Sequence, residues 1–207
     1  MTVDRGTVVL VELDPTVGHE QRGLRPCVAV SDPSVNADQR FPLIAVVPVT
    51  GTAGVVCTVL TADCLPIFLC DRRSTRIGVL HAGWRGLAAG IVEEGLRKIH
   101  LPTANLLAWL GPAIGPSAYE VSDEVRQTFI RLDRELEESF TPVHNRKGHW
   151  LADLYDIARR RLRAQGVHAV YGGLRCTLRE RNLFFSHRRD GNCGRMASLI
   201  WLDKNAR

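Results

Sequence analysis

The chain reads as an α+β protein: a mixed β-sheet core flanked by helices, with a small β-rich module at its N-terminal end. Three observations predict this. From residue 55 onward, short apolar runs of strand length alternate with helical periodicities. The first 54 residues carry strand patterns only, separated by loops rich in Gly, Pro, Asn and Asp. The boundary near residue 54 lacks linker composition and marks a change of sequence texture, giving two expected units, 1–54 and 55–207.

In order, the N-terminal module shows "TVVLVEL" (7–13), "CVAVS" (27–31) and "LIAVVPV" (43–49) as strands. Four short buried strands follow at 55–60, 65–69, 77–80 and 106–110. A helix after "HAGWRG" repeats apolar residues at Ile91, Val92, Leu96 and Ile99. A second puts Val125, Phe129, Leu132 and Leu136 on one face. A third has Leu151, Leu154, Ala158 and Leu162, closing at Gly166 as a C-cap. A strand at 167–170 and two late ones, around Phe184 and at 198–202, complete the pattern.

The 207 residues suit one domain, or one domain plus a small module, and are enough to bury a core. Apolar residues at 45% and charged residues at 24% are those of a soluble globular protein, and no run approaches the ~20 apolar residues of a membrane span. "MTVDRGTVVLVELDP" mixes acids into its first apolar run, unlike a signal peptide. Six cysteines without such a signal point to reduced thiols and a cytoplasmic location. Without a CxxC pair, a zinc ribbon is not expected. Charge is uneven: residues 1–54 hold four arginines and six acids, a net of −2, so the total of +5 leaves +7 for the rest. A basic surface favours anionic ligands such as phosphate or nucleotide.

Asp63 and Cys64 in "TADCLPIFLC", and His81 and Arg85 in "HAGWRG", stand at the mouths of two successive buried strands, where core packing has no use for them. If the strands are neighbours, Cys64 and His81 reach one point. A thiolate and an imidazole are zinc ligands, and a catalytic zinc takes about three protein ligands plus an open position. Asp63 would then move protons or orient His81. Arg85, between Gly83 and Gly86, suits an oxyanion or phosphate. The same pair without metal would make a Cys–His nucleophile. Cys57 and Cys70 read as small buried hydrophobes.

"TADCLPIFLCDRR…IGVLHAGWRGLAAGIV", "LGPAIGPSAYEV" and "LRCTLRERNLFFSHRRDGNCGRMASLIWL" resemble, in order over residues 55–203, the YfiH family of laccase-domain proteins. These were once called multicopper polyphenol oxidases and are now described as purine nucleoside phosphorylases. The resemblance implies zinc on Cys64 and His81, and phosphorolysis of adenosine, inosine, guanosine and methylthioadenosine with adenosine deamination. Asp63 and Arg85 are expected as catalytic participants, and Arg188 and Arg189 in "SHRRDG" as phosphate contacts. The family's third ligand is a His in an upstream "QVHG", which this sequence lacks. His19 in "VGHEQRG", the only histidine before Cys64, is the candidate substitute.

Residues 5–52 resemble the front half of a MazF-type toxin, an mRNA-cleaving ribonuclease. That likeness puts the family's catalytic Arg at Arg25 in "GLRP" and its Thr at Thr50 in "VPVTGT". The segment has about half the length of a complete toxin barrel and an acidic balance, so nucleic acid is not expected as a partner. Complete MazF proteins dimerise, which leaves a homodimer open. The expected function is a zinc-dependent purine nucleoside phosphorylase acting on purine nucleosides and phosphate. The rivals are a copper-dependent polyphenol oxidase, a toxin-like ribonuclease or interaction module, and a metal-free cysteine hydrolase.

Overall fold

The computed structural model describes residues 49–203 and the backbone of two strands before them, β1 (Val8–Glu12) and β2 (Leu24–Val28). These two pair antiparallel, from Val8 opposite Val28 to Glu12 opposite Leu24. Of the expected run at 43–49, only Val49 lies within the described residues. It forms β3 (Val49–Thr50) with Thr50.

The main sheet has five strands. β5 (Leu65–Asp71) and β6 (Ile77–Ala82) form its central hairpin. β7 (Leu106–Leu110) pairs antiparallel with β5, and β11 (Ala169–Gly172) parallel with β7. β3 forms the other edge against β6, so the sheet already includes residues before the sequence seam at 54. The two-residue alternation of strands decides which side chains go where. Leu65, Ile67 and Leu69, with Leu80, Leu106, Ala108 and Leu110, are buried on one face. There they meet α2 (Ile91–Ile99) and α4 (Leu154–Ala164) in one core. Each large side chain buried in this way contributes ~1.5–3 kcal/mol relative to exposure. Gly95 lets α2 lie close on β6, because a Cβ there would stand 2.6 Å from a Leu80 methyl.

The other face carries Ile77, Val79, Phe68 and Cys70. It is partly covered by a two-stranded ribbon of β4 (Val56–Thr61) and β12 (Met196–Trp201). Cys57, Val59, Ile77 and Val79 form this second, smaller core. Cys57 is therefore the buried small hydrophobe expected, while Cys70 is half-buried against the same cluster. A third small sheet joins β8 (Glu120–Ser122), β10 (His149–Ala152) and β9 (Phe140–Pro142) beside α3 (Asp123–Leu132).

The helical periods hold with three corrections. α3 stops at Leu132, which is exposed, because Asp133 leaves helical geometry and caps the next turn through Glu135 N–H. Leu136 is buried from that following 3-10 turn. Leu151 belongs to β10, since Asp153 caps α4 by accepting from the N–H groups of Tyr155 and Asp156. Phe184 lies outside any strand: its carbonyl accepts from Arg189, whose guanidinium holds that turn together. Gly166 follows the C-cap Gln165 with φ +84°, the left-handed geometry expected of a helix stop.

Candidate active site

The residues at the two strand mouths converge. Cys64 directly precedes β5, and His81 stands opposite Pro66 in β6. Alternation places Cys64, Pro66 and His81 on one side of the hairpin, the side away from the helices. Diagonal neighbours of this kind have Cα atoms ~7–8 Å apart, within reach of a common ion or substrate atom. Gly83 closes the approach, because a Cβ there would stand 2.8 Å from the Cys64 sulfur.

Asp63 has φ +91°, which turns the chain sharply between β4 and Cys64. Its carboxylate is buried and fully engaged. Oδ1 accepts from the Thr177 hydroxyl at 2.6 Å. Oδ2 accepts from the Ser186 hydroxyl at 3.1 Å and from the Arg188 N–H at 2.7 Å. The Asp63 carbonyl accepts from Ile114 N–H at 2.9 Å. The expected bond from Asp63 to His81 is not among these contacts. The left-handed turn aims the carboxylate at the C-terminal segment instead.

Arg85 lies in α1 (Trp84–Ala88), its guanidinium 4.5 Å from the Trp84 ring, and its charge is felt at Cys64. Arg188 is the first of the tandem arginines in α5 (His187–Asp190). Its guanidinium sits 5.3 Å from the Tyr119 ring and donates to the Glu120 carbonyl at 2.7 Å. Arg189 points elsewhere, donating to the carbonyls of Thr177, Leu178 and Phe184 and pairing with Asp190. Of the two expected phosphate contacts, Arg189 is thus a structural clamp and only Arg188 faces the site.

Tyr119 is the buried centre of this group. Burial pushes its phenol up, the neighbouring Cys64 adds to that, and Arg188 and Arg85 oppose it, so the hydroxyl keeps its proton. Burial first, and then Asp63, push the Cys64 thiol up to about 11 against the opposing pull of Arg195 and Arg85. A thiol so raised is a poor nucleophile by itself, which counts against the metal-free hydrolase. His81 is solvent-exposed in β6; partial desolvation of its imidazole, and then the charge of Arg195, lower it from the ordinary value, which favours the neutral, ligating form.

Tyr119, Arg195, Thr177 and Ser186 were not recognised from the sequence, although the motifs quoted above contain them. Nothing local announces them; only the fold brings them to Cys64. A turn of three backbone bonds does much of this: Gly111 N–H to Pro66, Ile114 N–H to Asp63, and Thr177 N–H to Ala113. Tyr155 locks the same turn from α4, accepting from Ala113 N–H at 2.7 Å and donating to the Arg175 carbonyl at 2.8 Å.

Cys64 and His81 suit zinc in kind but supply only two donors, and among the described residues no group of three His, Cys, Asp or Glu is placed to hold a metal. His19 lies outside the described residues. So does the side chain of Arg25. Thr50 is in β3, opposite Ile77, where its hydroxyl accepts from Thr52 N–H at 3.0 Å. Among the described residues, no helix is long and apolar enough to cross a membrane.

Comparison with known proteins places this geometry. Residues 33–203 match the family described as multi-copper polyphenol oxidoreductase laccase, and residues 4–57 match the PemK-like, MazF-like toxins of type II toxin-antitoxin systems. A Pseudomonas aeruginosa protein named purine nucleoside phosphorylase is 48% identical over 81% of this chain and 69% of its own. The Escherichia coli purine nucleoside phosphorylase YfiH is 50% identical over 74% of this chain and 62% of its own. A crystal structure of a Neisseria meningitidis protein superposes with a TM-score of 0.74 at 47% identity, covering 76% of this chain and 64% of that one. The chain therefore spans roughly two thirds of the length of the relatives it matches. Matched over residues 33–203 and 48% identical to a relative over 81% of its length, the chain belongs to the laccase-domain family that includes YfiH.

Proposed function

We propose that the chain is a purine nucleoside phosphorylase acting on adenosine, inosine, guanosine and methylthioadenosine, with adenosine deamination as a side activity. The observation that carries this reading is the convergence of Cys64 and His81 with Arg85, Arg188 and the protonated Tyr119. The names of the curated relatives support it.

Phosphorolysis forms a bond from a phosphate oxygen to C1′ of the sugar and breaks the bond from C1′ to the purine nitrogen, and the departing base takes a proton. Arg85 and Arg188 hold the phosphate dianion beside the sugar, as guanidinium groups do with oxyanions. The Tyr119 hydroxyl, kept protonated, donates a hydrogen bond within the same group. Deamination exchanges the C6 amino group for oxygen from water and releases ammonia, so it makes no demand on the phosphate-holding arginines.

Cys64 and His81 would hold a zinc ion, with His19 as the candidate third ligand. When bound, the metal supplies Lewis acidity. In this reading residues 1–54 form a toxin-derived module without ribonuclease activity, whose last strand, β3, extends the main sheet of the phosphorylase unit at 55–207. The test is purified chain assayed for phosphate-dependent release of purine base, with copper-dependent phenol oxidation measured alongside. Base release that requires phosphate supports the reading. Phenol oxidation without base release would replace it with the oxidase.

A further inference from the structure

The carboxylate of Asp63 stands beside Cys64 in sequence, yet its hydrogen bonds all lead away from the strand mouth. Three donors from the far end of the chain meet its two oxygens: the Thr177 hydroxyl, the Ser186 hydroxyl and the Arg188 N–H. The Asp63 carbonyl meanwhile holds Ile114, in the turn leading to Tyr119. One residue therefore joins the turn before β5, the turn after β7, the 176–180 turn and the first residues of α5. Arg188 donates the most consequential of these bonds. Its N–H is anchored to Asp63, and its guanidinium is laid against Tyr119 and the Glu120 carbonyl.

We propose that Asp63 is a positioning residue rather than a proton carrier: its carboxylate fixes the Ser186–Arg188 turn against the Cys64 end of β5 and thereby sets where Arg188 presents its charge. The inference rests on the phosphorylase reading for its functional consequence, though not for its structural one. Both carboxylate oxygens are occupied by donors that belong to the fold. Three of the roughly four acceptor positions of the carboxylate are thus taken by the fold, which suits holding a turn better than taking a proton from substrate. The fixed object is the guanidinium, which is long and flexible and holds an anion well only if its backbone is held.

Asp63→Gly isolates this role. Gly adopts the left-handed backbone freely, and it removes the carboxylate altogether. Asp63→Asn would not serve, because its amide can turn the NH2 group to the Thr177 hydroxyl, which can accept, and keep its oxygen on Ser186 and the Arg188 N–H. In Asp63→Gly the Arg188 amide loses its acceptor.

Two measurements on the full chain test the proposal. Hydrogen exchange of the peptide containing residues 185–190 should speed up about tenfold or more in Asp63→Gly, while the core helix α2 keeps its protection. In phosphorolysis, the apparent KM for inorganic phosphate should rise about tenfold with kcat changed much less, and the same substitution should add little in an Arg188→Ala background. Thr177→Val, which removes one donor and spares the carboxylate, should give a smaller acceleration of exchange, and it serves as the reading if Asp63→Gly does not fold. Unchanged exchange at residues 185–190 would overturn the proposal. So would a fall in kcat with phosphate KM unchanged, which is the signature of a proton carrier, or full additivity with Arg188→Ala. If the wild-type chain shows no phosphorolysis, the functional reading fails, and hydrogen exchange alone decides whether Asp63 positions Arg188.

Discussion

A methyl group on Gly83 would stand 2.8 Å from the Cys64 sulfur, closer than such contacts allow. The glycine of "HAGWRG" is therefore the space in which the thiol of "TADC" sits, and the two motifs are halves of one site. Gly83→Ala must displace the thiol, at an overpacking cost of ~1–3 kcal/mol. The expected outcome is a folded chain that binds less zinc, read by metal analysis and circular dichroism together. Full metal content in Gly83→Ala would show that the thiol is not a ligand.

Cys64→Ser should lower zinc occupancy sharply, because a thiolate is replaced by a hydroxyl that ionises poorly. Cys57→Ser is the matched control: Cys57 is buried in the small outer core, so its substitution should cost stability and leave metal content per folded chain unchanged. Equal metal content in wild type and Cys64→Ser would sink the assignment.

Arg85→Ala and Arg189→Ala should separate. Arg85→Ala is expected to reduce phosphorolysis by about tenfold to a hundredfold and deamination much less, with a raised requirement for phosphate. Arg189→Ala removes the donor to three carbonyls and should lower thermal stability, affecting both activities in parallel. A parallel loss in Arg85→Ala would instead retire its phosphate role.

Asp71 predicts an acid limb in stability. It closes the β5–β6 hairpin, accepting from the N–H groups of Arg73, Thr75 and Arg76 and from the Thr75 hydroxyl. Burial alone would raise this carboxyl, but the hydrogen bonds from Arg76, Thr75 and Arg73 outweigh it and hold it below the ordinary value of 3.8. Its contribution is therefore fully present above the unfolded-state value and is lost as pH falls through the lower folded one. Asp71→Ala should cost about 2 kcal/mol at neutral pH, a drop of several degrees in Tm, and the difference from wild type should shrink in strong acid. A difference that stays constant down to pH 2 would contradict this.

The chain should not cleave RNA. Thr50, the toxin-like threonine, is built into the edge of the main sheet and its hydroxyl is occupied by Thr52 N–H. Incubation with mRNA, wild type against Arg25→Ala, checks it. Cleavage that vanishes in the variant would put the ribonuclease reading first.

The elements with strong periodicity were legible in the sequence by itself. The alternation in β5, β6 and β7 and the 3.6-residue repeat of α2 depend only on neighbours within a few residues, and they place Cys64 and His81 at strand mouths. The resemblance to the family pointed to the same pair as the residues to test for metal binding. The roles of the charged residues were not legible. Arg188 and Arg189 are adjacent and chemically identical, yet one faces Tyr119 and the other clamps three carbonyls. Asp63 looked like a partner for His81, two strands away, and instead binds residues more than a hundred positions later. Local patterning settles which side of a strand or helix is apolar, because burial acts on every residue of the repeat. The direction of a single polar side chain is settled by whichever donor or acceptor the closed fold brings within about 3 Å, and only the tertiary structure supplies that.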